Sequence, residues 1–136
     1  MNRVLLATLT LVLAGGAYLP TDAERARWTM SDMLSLRTAL EAYAHDHGNA
    51  YPAVTTIDGL RKELEGKYTI VAPARDAWGR EYRYQRNGDG FRLVSAGADG
   101  TFDESTWSTP GRVKSLADDA VLSNERRWLF RSWSFE

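Results

Sequence analysis

The sequence predicts one α+β domain: a long N-terminal helix packed on a small antiparallel β-sheet, with a long C-terminal loop held in place by something other than secondary structure. Three observations lead there. Apolar residues recur at three- and four-residue steps through Ala26, Met30, Met33, Leu36, Leu40 and Tyr43, which defines a helix with one buried face. Two alternating segments, Glu81 to Arg86 and Phe91 to Ser95, flank Asn87-Gly88-Asp89-Gly90, a strong hairpin signal. The chain has 136 residues and no internal repeat, which suits a single modest core.

At the N-terminus, Met1-Asn2-Arg3 is a short basic segment. Val4 to Ala14 is apolar except for Thr8 and Thr10, and Gly15-Gly16-Ala17 supplies small residues. This is the pattern of a secretory signal. The apolar run falls short of the roughly 20 residues of a spanning helix, so residues 1–17 are expected to be a cleaved signal peptide rather than a short apolar anchor. Residues 18–136 form the mature domain, secreted or periplasmic.

Thr21-Asp22-Ala23-Glu24 has capping-box spacing and starts the long helix. Arg37 falls inside the apolar stripe and must reach the rim or find a partner. Gly48 is placed to end the helix, with His45 and His47 in its last turn, where a positive imidazole suits the helix dipole. Tyr51-Pro52 reads as extended chain. A second, short helix is expected from Thr56 or Ile57 to Leu64 or Glu65, stopping at Gly66. Tyr68 to Val71 is a candidate edge strand closed by Pro73. After the hairpin, Ala96 to Leu116 is rich in Gly, Ser, Thr, Asp and Pro and reads as one loop. A loop that long in a compact domain is functional or tethered. Val121 to Ser123 is a short strand candidate.

Composition removes several function classes. Basic and acidic residues number 17 and 18, for a net charge of −1, so no field of one sign suits a nucleic-acid backbone. With no cysteine, disulfides, thiolate zinc sites and thiol catalysis are excluded. A small exported domain without disulfides needs another staple, and a bound metal is one.

Three carboxylates fall beside turns and strand ends: Asp99, Asp118 and Asp119. An oxygen cluster of this kind suits a hard cation, calcium first, because a divalent ion turns carboxylate repulsion into attraction. The plain alternative is that Asp99-Gly100 is a simple turn and Asp118 a helix cap. The segment is not an EF-hand. Counting from Asp99, Glu104 occupies the sixth position, where the loop glycine belongs, and Pro110 the twelfth, where the closing glutamate belongs.

Asp76-x-Trp78-Gly79-x-x-Tyr82-x-Tyr84, then Leu93-x-Ser95-x-Gly97-x-Asp99-Gly100, then Asp118-Asp119-x-Val121-x-Ser123-Asn124 occur in an order that resembles the C-terminal domain of the major pseudopilin of type II secretion, the G protein. Leu40-x-x-Tyr43, Asp46, Gly48, Tyr51-Pro52 and Gly59-Leu60 also match that family, so the resemblance covers most of the chain. It implies a calcium-binding, non-enzymatic filament subunit with the α+β fold already described. It further implies a metal-ligand set of the Ala96 carbonyl, Asp99, the Thr101 carbonyl, Asp118 and Asp119, with residues 18–136 as the calcium-binding domain. Asp103 and Glu104, in a loop longer than the family's, are candidates to replace or to add to those ligands. The first twenty positions hold no acidic residue, and the chain is expected not to be processed as a prepilin.

Trp78 reads as a core anchor in the Asp76–Gly79 turn, and Trp107 is open to either a core or a site role. Trp128, Phe130 and Trp133, interleaved with arginines, either cover the sheet or form a protein interface. Enzyme signals are poor. Leu93 stands where a nucleophile elbow needs its first glycine, and His45 and His47 point to different helix faces. Paired aspartates can serve as general acid and base, but nothing else in the chain forms a substrate cleft around these two. The expected function is a calcium-binding, pseudopilin-like structural and interaction protein of the bacterial cell envelope, with protein partners and no nucleic acid or small-molecule substrate. The second reading is a soluble calcium-binding recognition domain outside any filament.

Overall fold

The structure is a computed structural model that describes residues 16–125 and 128–135. Helix α1 spans Asp22–Asp46 and α2 spans Ile57–Leu64. Strands follow at Arg83–Asn87 (β1), Gly90–Ser95 (β2), Gly111–Val113 (β3), Ala120–Asn124 (β4) and Trp128–Trp133 (β5), with a 3₁₀ turn at Glu104–Thr106. The expected signal segment, apart from residues 16 and 17, lies outside the described residues.

The capping box forms as the sequence predicts: the Thr21 hydroxyl accepts from the Glu24 N–H at 3.2 Å, and the Glu24 carboxylate accepts from the Thr21 N–H at 2.8 Å. Helix α1 buries Ala26, Thr29, Met33, Leu36, Ala39, Leu40 and Ala44. Burial of each Met or Leu side chain contributes about 2 kcal/mol. Arg37 finds its partners at the rim, 3.2 Å from Glu41 and with its guanidinium 4.1 Å from the centre of the Trp128 ring. Gly48 lies past the helix end at φ 63°, and the Asn49 N–H closes the last turn on the Ala44 carbonyl at 2.7 Å. Helix α2 is capped by the Thr56 hydroxyl, which accepts from the Gly59 N–H.

The five strands form one sheet in the order β1-β2-β4-β5-β3. All neighbours are antiparallel except β3 and β5, which run parallel. The sheet is therefore mixed rather than antiparallel throughout, because the expected loop contains a three-residue edge strand too short to show a period. Residues 68–71 are not an edge strand. They make only the isolated Glu65–Thr69 bridge, and the Thr69 hydroxyl donates locally to the Val71 carbonyl. Ile70 and Val71 point outward, 94% and 67% exposed.

Strand alternation gives the sheet two apolar faces. Leu93 and Leu122, partners in register, join α1, Tyr82, Tyr84, Phe91 and Trp133 in the main core. Val94 and Val121, also partners, face the other way and are covered by Trp107, Phe102 and Leu129. The long loop thus lies across the outer face of the sheet, anchored by its own tryptophan.

Candidate functional site: an acidic cleft beneath the long loop

The turn after β2 brings the site together. Gly97 has φ 70°, and a Cβ there would lie 2.5 Å from the Asp118 carbonyl oxygen and within 2.9 Å of those of Leu116 and Ala117. Only glycine lets the backbone after β2 nest inside the arc that leads into β4. The Ala98 N–H donates to the Leu116 carbonyl at 2.8 Å and fixes that approach. Asp99 then folds back on its own turn, accepting the Thr101 N–H at 2.8 Å, an Asx turn.

From the opposite side, Asp119 enters at the start of β4. It is 2% exposed. Its Oδ2 accepts from the indole N–H of Trp107 at 2.5 Å and from the Asp103 N–H at 2.8 Å. Its Oδ1 is buried and has no hydrogen-bond partner. Burial pushes the Asp119 carboxyl above the usual range, and the charges of Asp99 and Asp103 push it further, against the lowering effect of the two donors. A buried carboxylate oxygen without a partner is costly. Asp99, Thr101, Phe102, Asp103, Thr106, Ala117, Asp118 and Asp119 line a cleft of about 350 Å³.

Four of the five residues expected to bind metal therefore line one cleft: Asp99, Thr101, Asp118 and Asp119. Ala96 is buried just beyond β2 and is not among the lining residues. The side chain of Asp118 leans outward, 48% exposed and 3.9 Å from Arg131, while its carbonyl accepts the Trp133 indole N–H at 2.8 Å. The three expected carboxylates consequently do not converge as a triad. Among the described residues no group of three or more His, Cys, Asp or Glu side chains is gathered to hold a metal ion. Asp103, noted in the sequence as a replacement or added ligand, also lines the cleft, but its Oδ1 accepts from the N–H and hydroxyl of Ser105 at 3.2 and 2.6 Å. Glu104 instead turns to Arg83, 3.3 Å away.

The aromatic tail divides. Trp133 is a core residue, 2% exposed, its ring edge-on to Trp78 at 5.5 Å, so an interface role does not apply to it. Phe130 is half-buried against the main core. Trp128, 39% exposed, is the member that reaches the surface. Trp78 packs against the core as expected and donates its indole N–H to Asp22 at 2.8 Å.

The sequence profile of the type II secretion system (T2SS), protein G, matches residues 20–109. The chain belongs to the protein G family. For this protein G family member the match runs from the cap of α1 through the 3₁₀ turn, so Asp99, Thr101 and Asp103 fall inside it, whereas Asp118, Asp119 and β3 to β5 follow it. Membership supports a structural role connected with type II secretion and the cell envelope, in contact with other secretion-system proteins. No curated protein and no solved structure matches it significantly. No helix among the described residues is long and apolar enough to cross a membrane.

Proposed function

We propose that this chain is a calcium-binding, non-enzymatic, pseudopilin-like structural and interaction protein of the cell envelope, serving type II secretion from the periplasmic side. Family membership supports the structural role. The calcium reading rests above all on the unpartnered, buried Oδ1 of Asp119, a residue that lines a cleft with Asp99, Thr101 and Asp118. Asp119 and Asp99 would hold the ion, with the Thr101 carbonyl as a further donor and Asp103 in the wall of the same cleft. Asp118 stands at the rim, where Arg131 competes for it. All-oxygen donors and water-accessible space suit calcium's variable coordination, whereas magnesium demands a strict octahedron and keeps its water. The ion would neutralise the repulsion felt by Asp119 and tie the turn after β2 to the start of β4. The exposed Trp128 ring, with Arg37 over it, is the surface offered to a protein partner.

Titration calorimetry and thermal melts in calcium and in EGTA test the reading. Stability is expected to rise by about 2.7 kcal/mol at a free calcium concentration a hundredfold above Kd. Magnesium gives a smaller shift, and Asp99→Ala and Asp119→Asn each abolish the gain. Equal melting temperatures in calcium and EGTA, with no heat of binding, would overturn it.

A further inference from the structure

We infer that Arg80 is a positioning residue for the acidic cleft: it clamps from outside the turn that presents Asp99 and Thr101. The Asp76–Arg80 turn is itself rigid. The Asp76 N–H donates to the Arg80 carbonyl at 2.8 Å, and the buried Asp76 carboxylate accepts the N–H groups of Trp78 and Arg80, both at 3.0 Å. From this base two arms reach the turn after β2. On the inner side the Ser95 hydroxyl donates to Asp76 Oδ2 at 2.8 Å and accepts from the Gly97 N–H at 3.3 Å. On the outer side one guanidinium nitrogen of Arg80 donates to the carbonyls of Ala98 and Gly97, at 3.2 and 3.4 Å. The Arg80 side chain also packs so closely on Gly100, at φ 68°, that any Cβ there would collide with it. Gly97 to Gly100 is thus held between the Asp76 turn and the Leu116–Asp118 arc, and neither Arg80, Asp76 nor Ser95 lines the cleft itself.

The sign of one effect separates positioning from electrostatics. Arg80 is a cation near a proposed cation site, so by charge alone its removal would tighten calcium binding. If Arg80 acts by holding carbonyls and the glycine turn in place, its removal loosens binding instead, as loss of outer supports does at metal sites. The metal half of this inference rests on the calcium reading above; the positioning half does not.

The experiment uses the mature chain with Arg80→Ala and Arg80→Lys, by calorimetry with calcium chloride and by hydrogen exchange in EGTA. Arg80→Ala is expected to weaken calcium affinity about tenfold, leave the melting temperature in EGTA nearly unchanged, and speed exchange at the amides of Ala98, Gly100 and Thr101 while those of β2 and α1 keep their protection. Arg80→Lys retains the charge but not the planar fork and falls between. Calcium affinity equal to or tighter than wild type in Arg80→Ala overturns the inference. So does unchanged exchange at the three amides, whatever the metal result. Wild type that binds no calcium defeats the calcium reading by itself, and the exchange result then decides the positioning role alone.

Discussion

Tyr82 and Tyr84 bury their phenols in the main core, at 3% and 2% exposure, and their chemistry follows from that. Burial raises both hydroxyls well above the ordinary tyrosine value, with the carboxylates of Asp32 and Asp76 adding to the effect at Tyr82. A group whose folded pKa is raised contributes its stability below the unfolded value and loses it as pH climbs. Unfolded tyrosine ionises near about pH 10, so stability is expected to fall steadily above that pH while the two buried phenols stay protonated in the fold. Absorbance titration at alkaline pH, paired with urea unfolding, checks this. Simultaneous ionisation of all six tyrosines in an intact fold would contradict it. Trp107 shows what sequence leaves undecided about a single side chain: core or site. It is both, covering Val94 and Val121 with its ring and holding Asp119 with its N–H. A loop tryptophan announces neither partner, since each lies across a fold not yet formed.

Helix α1 was legible because local chemistry and the buried face agree over 25 residues. Its start can be tested. Thr21→Ala removes the hydroxyl that accepts the Glu24 N–H and is expected to cost about 1 kcal/mol in chemical denaturation, with calcium affinity unchanged; no loss of stability would mean the cap contributes nothing. Strands were less legible where neighbours decide them. Tyr68 to Val71 has the β-branched composition of a strand, but its backbone turns back on the end of α2, with the Tyr68 N–H donating to the Leu64 carbonyl and the Thr69 carbonyl accepting from Gly66, and only Ile70 and Val71 stand exposed. Gly111–Val113 has almost no strand character of its own and becomes one because β5 offers an open edge beside it. The Asp99 and Asp119 positions were readable from glycine turns and a strand end, while the outward lean of Asp118 depends on Arg131 from the adjacent strand β5.

The molecule as a unit is a sheet with a core on each face, a large one under α1 and a small one under the long loop. The two classes of tail tryptophan should therefore behave differently. Trp133→Ala opens the main core and is expected to cost about 3–5 kcal/mol. Trp128→Ala forfeits the cation–π contact with Arg37 and an edge-on contact with Phe91, about 1–2 kcal/mol, while weakening partner binding. Denaturant unfolding beside a pull-down of secretion components checks both, and equal losses of stability would rule out the surface role. The fold class could be read from periodicity and turn residues, but the sheet's strand order could not, because it is set by which edges remain open. That order also imposes a sequence of events. The outermost strand, β3, precedes β4 and β5 in the chain yet pairs with β5. As the polypeptide emerges from its N-terminus, residues 111–113 have nowhere to dock until residue 133 has followed them. The edge of the sheet, and the loop that roofs the cleft, can be completed only after β5 has been delivered.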